Sequence, residues 1–359
     1  MAHEVFGSLK SRIADNGPIR FSDFMSMALY DQHFGYYMGV GNPYAHYGTS
    51  ASMHPVFGGM LSNHVKNTWN SFGQPGQFAV VELGCGEGRI AESILAISDE
   101  TNWGQAMEYI GVEIGPGRRC RANKLRGLEL VSDIEEIEYH EYCLIIANEY
   151  FDSLPFDILK RHGLKWLEMR VGVSGNGRDL GWIPYPAEDD AVQYATKYGS
   201  NVPDGGQLEF RPDMERQYHR ISNMSSTLAM TVIDYGGSSS EIHSGRFPKG
   251  TALAYGDNGI SENLLQRPGL QDLTAHVNFD HLTGVAKQYG IRSATVISQA
   301  QFLTDLGIGD YLPYLYQSGV SGDRYSQERE SIAQLLDPLE MGRFKVMFQY
   351  SGSGSKDTL

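Results

Sequence analysis

Apolar residues recur along this chain in two rhythms, and the change of rhythm marks its organisation. From residue 1 to about 76 the spacing is helical. The stretch Phe21-Ser22-Asp23-Phe24-Met25-Ser26-Met27-Ala28-Leu29-Tyr30 sets its large apolar side chains at helical intervals, with Ser22 the expected cap. A glycine-rich loop is expected over 35–48, and another helix from Pro55 to Trp69. After residue 77 short, continuous apolar runs take over. Strands are expected at 78–83, 107–113, 127–131, 143–147 and 228–233, with a helix over 90–97 following the first. Unbroken apolar strands alternating with helices imply a mostly parallel sheet covered on both faces. The stretch between the fourth and fifth strands is too long for one crossover helix, and Trp166, Gly172, Gly175, Gly177, Pro184 and Pro186 suggest short strands and turns. The expected organisation is therefore an N-terminal helical and aromatic region over 1–76 and the first half of an α/β domain over 77–155. An inserted cap over 156–227, above the active edge of the sheet, precedes the second half of that domain over 228–350. Strands near 291–297 and 343–350 finish the sheet, and a Gly/Ser-rich tail, 351–359, is expected to be disordered.

The first apolar strand ends in Glu82-Leu83-Gly84-Cys85-Gly86-Glu87-Gly88, a three-glycine turn that opens a helix. Glycine lets backbone pass close to a ligand. A second acid, Glu113, ends the next strand, 31 residues after Glu82, where it can accept the hydroxyls of a ribose. The spacing G-x-G-x-G differs from the dinucleotide form, and Glu82 before the turn suits an ammonium group better than a pyrophosphate. S-adenosylmethionine carries an ammonium at one end and a ribose at the other, and it is the expected cofactor. Glu82, Gly84, Cys85, Gly86, Gly88, Glu113, Ile114, Asp133 and Asn148 are its expected contacts. Gly84, Glu113, Asn148 and Asp234 all fall at the carboxyl ends of strands, the edge where such sheets bind ligands. The fourth strand runs into Asn148-Glu149-Tyr150-Phe151-Asp152, whose polar members are expected to face the transferred methyl group: Glu149, Asp152 and Asn148 are the catalytic candidates. Asn148 read blandly is a strand cap, and Asp152 a helix-starting acid.

The chain resembles the MidA family of class I methyltransferases, related to the mitochondrial complex I assembly arginine methyltransferase. The resemblance rests on Gly17-Pro18-Ile19, Gly35-Tyr36-Tyr37, Glu82-Leu83-Gly84 with Gly86 and Gly88, Ala147-Asn148-Glu149 with Phe151-Asp152, and Ile233-Asp234-Tyr235-Gly236. It continues through Asp272-Leu273-Thr274-Ala275-His276-Val277 and Met341-Gly342. It implies a Rossmann-like, mostly parallel seven-stranded sheet and transfer of a methyl group to a guanidino nitrogen of arginine. Carboxylates bind a guanidinium in bidentate fashion. Glu149 and Asp152 are the best placed, with Asp234, His276, Tyr36 and Tyr37 as further substrate-binding candidates; His276 is expected to be structural rather than a base, and core packing is an equal alternative for the two tyrosines. No metal is required, because methyl transfer needs alignment more than acid-base power. The chain departs from the family at Cys85, where proline is usual, and in His46-Tyr47-Gly48-Thr49-Ser50-Ala51-Ser52 and Asp257-Asn258 on the acceptor side. Those departures favour free arginine or a small guanidino compound slightly over a protein. A small-molecule O- or N-methyltransferase and a non-catalytic cofactor-binding assembly factor are the alternatives.

Charge and cysteine content narrow the partners. A net charge of −14 disfavours nucleic acid. No apolar run reaches membrane-spanning length, and the N-terminus has no leader pattern. Three cysteines without metal spacing fit a reducing cytoplasm. The partner expected is an arginine or other guanidino compound, with a homodimer left open.

Overall fold

The computed structural model describes residues 2–39, 55–175, 177, 179–257 and 259–352, so the altered loop 46–52, Asn258 and the tail beyond 352 lie outside the described residues. The chain divides into two compact units. One comprises Gly48–Tyr150, Tyr218–Tyr235 and Ala286–Leu359; the other comprises Met1–Tyr47, Phe151–Gln217 and Gly236–Val285.

The first unit is built on the sheet. Strands β1 (Phe78–Leu83), β2 (Met107–Val112), β3 (Leu128–Val131) and β4 (His140–Asn148) fall where the apolar runs predict them. So does the later long strand Ser225–Asp234. After four strands of the other unit it is numbered β9, and the terminal strand Lys345–Ser351 is β12. The order is β3-β2-β1-β4-β9-β12, with two-residue pieces β10 (Arg292–Ser293) and β11 (Ile297–Ser298) both antiparallel to β12. Pairing is parallel from β3 through β9, and only β12 reverses. The two short pieces share the seventh position of this sheet, at its edge. Helices α1 (Ala2–Asn16) and α2 (Phe21–Tyr30) belong to the other unit, while α3 (Pro55–Ser71) and α4 (Arg89–Ser98) cover one face of this sheet. Val56, Phe57, Leu61, Ile90 and Ile94 from those helices pack with Val80, Leu144 and Phe348 of the strands. In the same core the His64 ring meets Thr231 Oγ1 at 2.7 Å, and burial lowers its pKa to about 4. A neutral imidazole sharing one hydrogen bond is how a buried histidine persists without charge.

The second unit holds the antiparallel sheet β7-β6-β5-β8, made of β5 (Asp157–His162), β6 (Lys165–Val173), β7 (Leu180–Pro186) and β8 (Gln207–Phe210). The short strands expected within 156–227 are these, and the N-terminal helices share their core. Leu9, Phe21, Phe24, Met25 and Leu29 pack with Phe156, Ile158 and Val171. The cap expectation for Ser22 fails for a physical reason. The helix starts earlier, with Arg20 as N-cap and no side-chain cap bond. The Ser22 N–H is instead satisfied by Asp157 Oδ1 at 2.9 Å, a residue far away in sequence. Asp157 is fully buried and also takes Arg20 Nε at 3.0 Å. Burial raises its pKa to about 6 against the opposing pull of Arg20. Arg20 lies 3.7 Å from the buried Glu168, which receives Arg170 Nε at 2.7 Å.

Breaking a buried ion pair from one side leaves an uncompensated charge, at a typical cost of about 3–5 kcal/mol. Arg20→Gln should therefore destabilise the protein by about 3 kcal/mol, read as a lower urea midpoint. An unshifted midpoint would mean that water already solvates Asp157 and Glu168.

Candidate active site

Every residue of β1 is buried, and the chain then turns at Gly84, Gly86 and Gly88 with φ of +69°, +57° and +82°. L-residues with a side chain resist this left-handed backbone. Gly88 has a second constraint: a Cβ there would stand 2.7 Å from Leu125 Cδ1. Gly84 is exposed, approached among the described residues by the Tyr150 ring, 3.3 Å from where a Cβ would be. The Cys85 side chain points the other way. Its Sγ lies 2.6 Å from the position a Cβ would take on Gly111, and burial holds the thiol protonated. Cys85 can therefore serve a ligand at this turn through its backbone rather than its sulfur.

Glu113 stands one residue past β2 and is buried. Its Oε2 accepts the Gly86 N–H at 2.9 Å and its Oε1 accepts the Gly115 N–H at 2.7 Å, with Arg118 3.8 Å away. The carboxylate thus ties the glycine turn to the turn after β2. Ile114 follows with 43% of its surface exposed, an apolar side chain at the mouth of these turns. Asp133 begins a short 3₁₀ turn after β3 and accepts the Glu135 N–H at 2.9 Å. Arg220 lies 3.6 Å from Asp133.

Glu82 sits beneath the turn rather than on its surface. Only 4% of it is exposed, and Tyr109 Oη donates to Glu82 Oε2 at 2.8 Å. Burial is the main cause that lifts its pKa to about 8, so the carboxyl is largely protonated at neutral pH. Tyr109 pairs in register with Val80, two residues before Glu82, so only the β1–β2 pairing brings this partner to the acid.

At the end of β4 the Asn148 amide donates to Glu149 Oε1 at 3.3 Å, while Asn148 Oδ1 is buried with no hydrogen-bond partner among the described residues. Buried acceptors normally have a partner. Glu149 follows with φ of +49°, and its N–H donates to Ile233 O at 2.8 Å. A carboxylate residue held in the left-handed region stores of order 1–3 kcal/mol, and such residues gather at functional sites. Asp234, at the end of β9, is fully buried, with Oδ1 accepting the Tyr235 N–H at 2.9 Å.

The remaining candidates belong to the other unit. Asp152 is buried, and its Oδ2 accepts the Thr274 hydroxyl at 2.8 Å. Tyr37 lies in that unit's core, edge-on to Tyr36, and donates to Asp272 Oδ1 at 2.6 Å. His276 is half-buried, edge-to-face with Phe247, and its N–H donates to Thr251 Oγ1 at 3.0 Å. Tyr109, Gly115, Tyr150 and Thr274 were not legible as site residues, because each earns its place through a pairing across strands or turns.

S-adenosylmethionine fits the donor-side features. Asn148 Oδ1 offers a buried acceptor to a hydrogen-bond donor, and the Glu113 oxygens keep lone pairs beyond those used by the two N–H groups. The exposed Ile114 offers an apolar surface to a flat ring. A family profile described as S-adenosyl-L-methionine-dependent methyltransferase matches residues 60–297, well over half of the chain. A crystal structure of a COG1565 superfamily member from Burkholderia thailandensis, bound to S-adenosyl-homocysteine, has a TM-score of 0.86 at 23% identity, covering 99% of this chain and 93% of that one. Fold and profile together define a class I S-adenosylmethionine-dependent methyltransferase. Within that class the chain belongs to the MidA family.

Among curated relatives, the Xenopus laevis protein named protein arginine methyltransferase NDUFAF7, mitochondrial, is 24% identical over all of this chain and 87% of its own length. The Caenorhabditis elegans homologue of that protein is 25% identical, covering 94% of this chain and 84% of its own length. These relatives are named mitochondrial, which overturns the cytoplasmic expectation. Three cysteines without disulfide spacing are compatible with more than one compartment.

Gly86→Val should abolish measurable donor binding in a folded protein, because a β-branched residue resists φ near +57° and the N–H bound to Glu113 would move. Calorimetry with S-adenosyl-homocysteine reads this, and an unchanged affinity would place the ligand elsewhere.

The Glu82 carboxyl has a folded pKa near 8, above its ordinary value of 4.5. Its proton is therefore held more tightly in the folded state, and the stability it contributes at low pH is lost as pH rises from about 4.5 through about 8. Without ligand, Glu82→Gln should show a flatter dependence of urea midpoint on pH across that window and be the more stable protein at its upper end. Parallel profiles for the two proteins would exclude this carboxyl as the titrating group.

Proposed function

We propose that the chain is an arginine Nω-methyltransferase, placing a methyl group on a guanidino nitrogen of free or protein-bound arginine. The observation that carries the proposal is Glu149, a carboxylate residue strained at φ of +49° directly after Asn148, whose buried Oδ1 has no partner among the described residues. The names of the curated relatives support it. They also favour a mitochondrial setting.

The bound cofactor would supply an electrophilic methyl group on a sulfonium. Gly84, Cys85, Gly86, Gly88, Glu113, Ile114, Asp133 and Asn148 are the residues proposed to hold it, with Glu82 supporting the turn from beneath. Glu149 would bind the planar cation by two parallel hydrogen bonds and fix which nitrogen faces the methyl. As the C–N bond forms and the methyl–sulfur bond breaks, its negative charge would stabilise the positive charge that builds on the guanidino group, and its oxygen would accept the displaced proton. Asp152 lies three residues on and would share the cation or orient it. Alignment of this kind, rather than proton shuttling at a histidine, accounts for the rate. The altered loop at 46–52 leans the acceptor toward a small guanidino compound.

The test is transfer of labelled methyl from S-adenosylmethionine to free L-arginine and to arginine-containing proteins, with products identified by mass spectrometry. Losing one partner of a buried charged hydrogen bond costs about 2–5 kcal/mol. Glu149→Gln should therefore lower turnover roughly thirtyfold to several thousandfold, with donor affinity unchanged. Near-normal turnover would mean that the acceptor is held by other groups or is no guanidinium.

A further inference from the structure

Arg211 follows directly on β8 and is buried, with 5% of its surface exposed. Among the described residues its guanidinium makes no ion pair. It donates instead to three main-chain carbonyls: Asp152 O at 3.0 Å, Ala275 O at 2.8 Å and His276 O at 3.2 Å. Its flat face lies 5.5 Å from the Phe156 ring, and its Nε has no partner among the described residues. One side chain thus joins two chain segments more than a hundred residues apart, 152 and 275–276.

The same short stretch holds the second segment from its other side. Glu209, two residues before Arg211 and also buried, accepts the Thr251 N–H and hydroxyl, and Thr251 Oγ1 accepts the His276 N–H at 3.0 Å. The His276 residue is therefore gripped at its N–H through Glu209 and Thr251 and at its C=O by Arg211. The Ala275 N–H donates to Asp152 O at 3.4 Å, and the Thr274 hydroxyl donates to Asp152 Oδ2 at 2.8 Å. The direction of the Asp152 carboxylate depends on where Thr274 stands, and that depends on the carbonyl contacts of Arg211.

We propose that Arg211 is a positioning residue for methyl transfer, acting through Asp152 and Thr274 rather than by touching the substrate. The inference rests on the arginine-methylating function proposed above. A cation spent on three carbonyls is costly to bury, so its retention asks for a geometric reason. Misplacement of a substrate-orienting group by about 1 Å can cost on the order of 10²-fold in rate.

The experiment is a double-variant cycle on the full-length protein, with Arg211→Met, Asp152→Asn and the two combined. Turnover, the acceptor KM and the calorimetric affinity for S-adenosyl-homocysteine are measured for each. Arg211→Met should lower kcat by roughly 10²-fold while leaving donor affinity unchanged. The combined variant should lose no more than the weaker of the two single variants, because both act on one geometry. Multiplicative losses, or normal kcat in folded Arg211→Met, would overturn the proposal. If Arg211→Met does not fold, Arg211→Lys, with three donors on a shorter reach, enters the same cycle. If the wild-type protein methylates no arginine acceptor, the function proposed above fails, and hydrogen exchange decides the placement. Faster exchange confined to the Ala275 and His276 amides in Arg211→Lys supports it, and unchanged exchange there refutes it.

Discussion

Both oxygens of Glu113 are committed to backbone N–H groups, one in the turn after β1 and one in the turn after β2. A parallel sheet leaves its loops to find their own partners at the carboxyl edge. Here one carboxylate supplies two of them, and the residue's backbone N–H donates to Val131 O, at the end of β3. Three consecutive strand ends are thereby joined through a single residue. The glycine turn can hold its left-handed course because Gly86 has an anion to donate to, and the exposed face at Gly84 follows from that course.

The environment of Glu82 complements this arrangement. Two acids lie close together under one turn, and the neighbouring Glu113 adds to the cost that burial sets on ionising Glu82. Glu113 takes the N–H donors of Gly86 and Gly115. Glu82 takes a phenol and deep burial, and keeps its proton.

Much of this was legible in the apolar rhythm. The strands β1 to β4 and β9, the helices after residues 20, 54 and 88, and the glycine turn follow from local spacing, since their burial pattern is set within each element. What escaped depends on pairing. Ser22 could not be told from a helix cap without Asp157, which lies on a strand more than a hundred residues away. Tyr109 could not be linked to Glu82 without the β1–β2 register. Arg211 gave no local signal, because an arginine that binds three carbonyls has no spacing of its own. Asp234 looked like its strand-end neighbours in sequence, yet it is fully buried, while Asn148 and Glu149 keep partial exposure.

The backbone at residue 149 has a consequence for how this protein tolerates change. Glycine adopts φ near +49° without penalty, so Glu149→Gly would relieve local strain while deleting the carboxylate. Selection for thermal robustness alone would drift toward glycine at this position. A library screened by melting temperature would then enrich sequences that fold better and act worse, and a glutamate that survives there marks a function being kept against the preference of the fold.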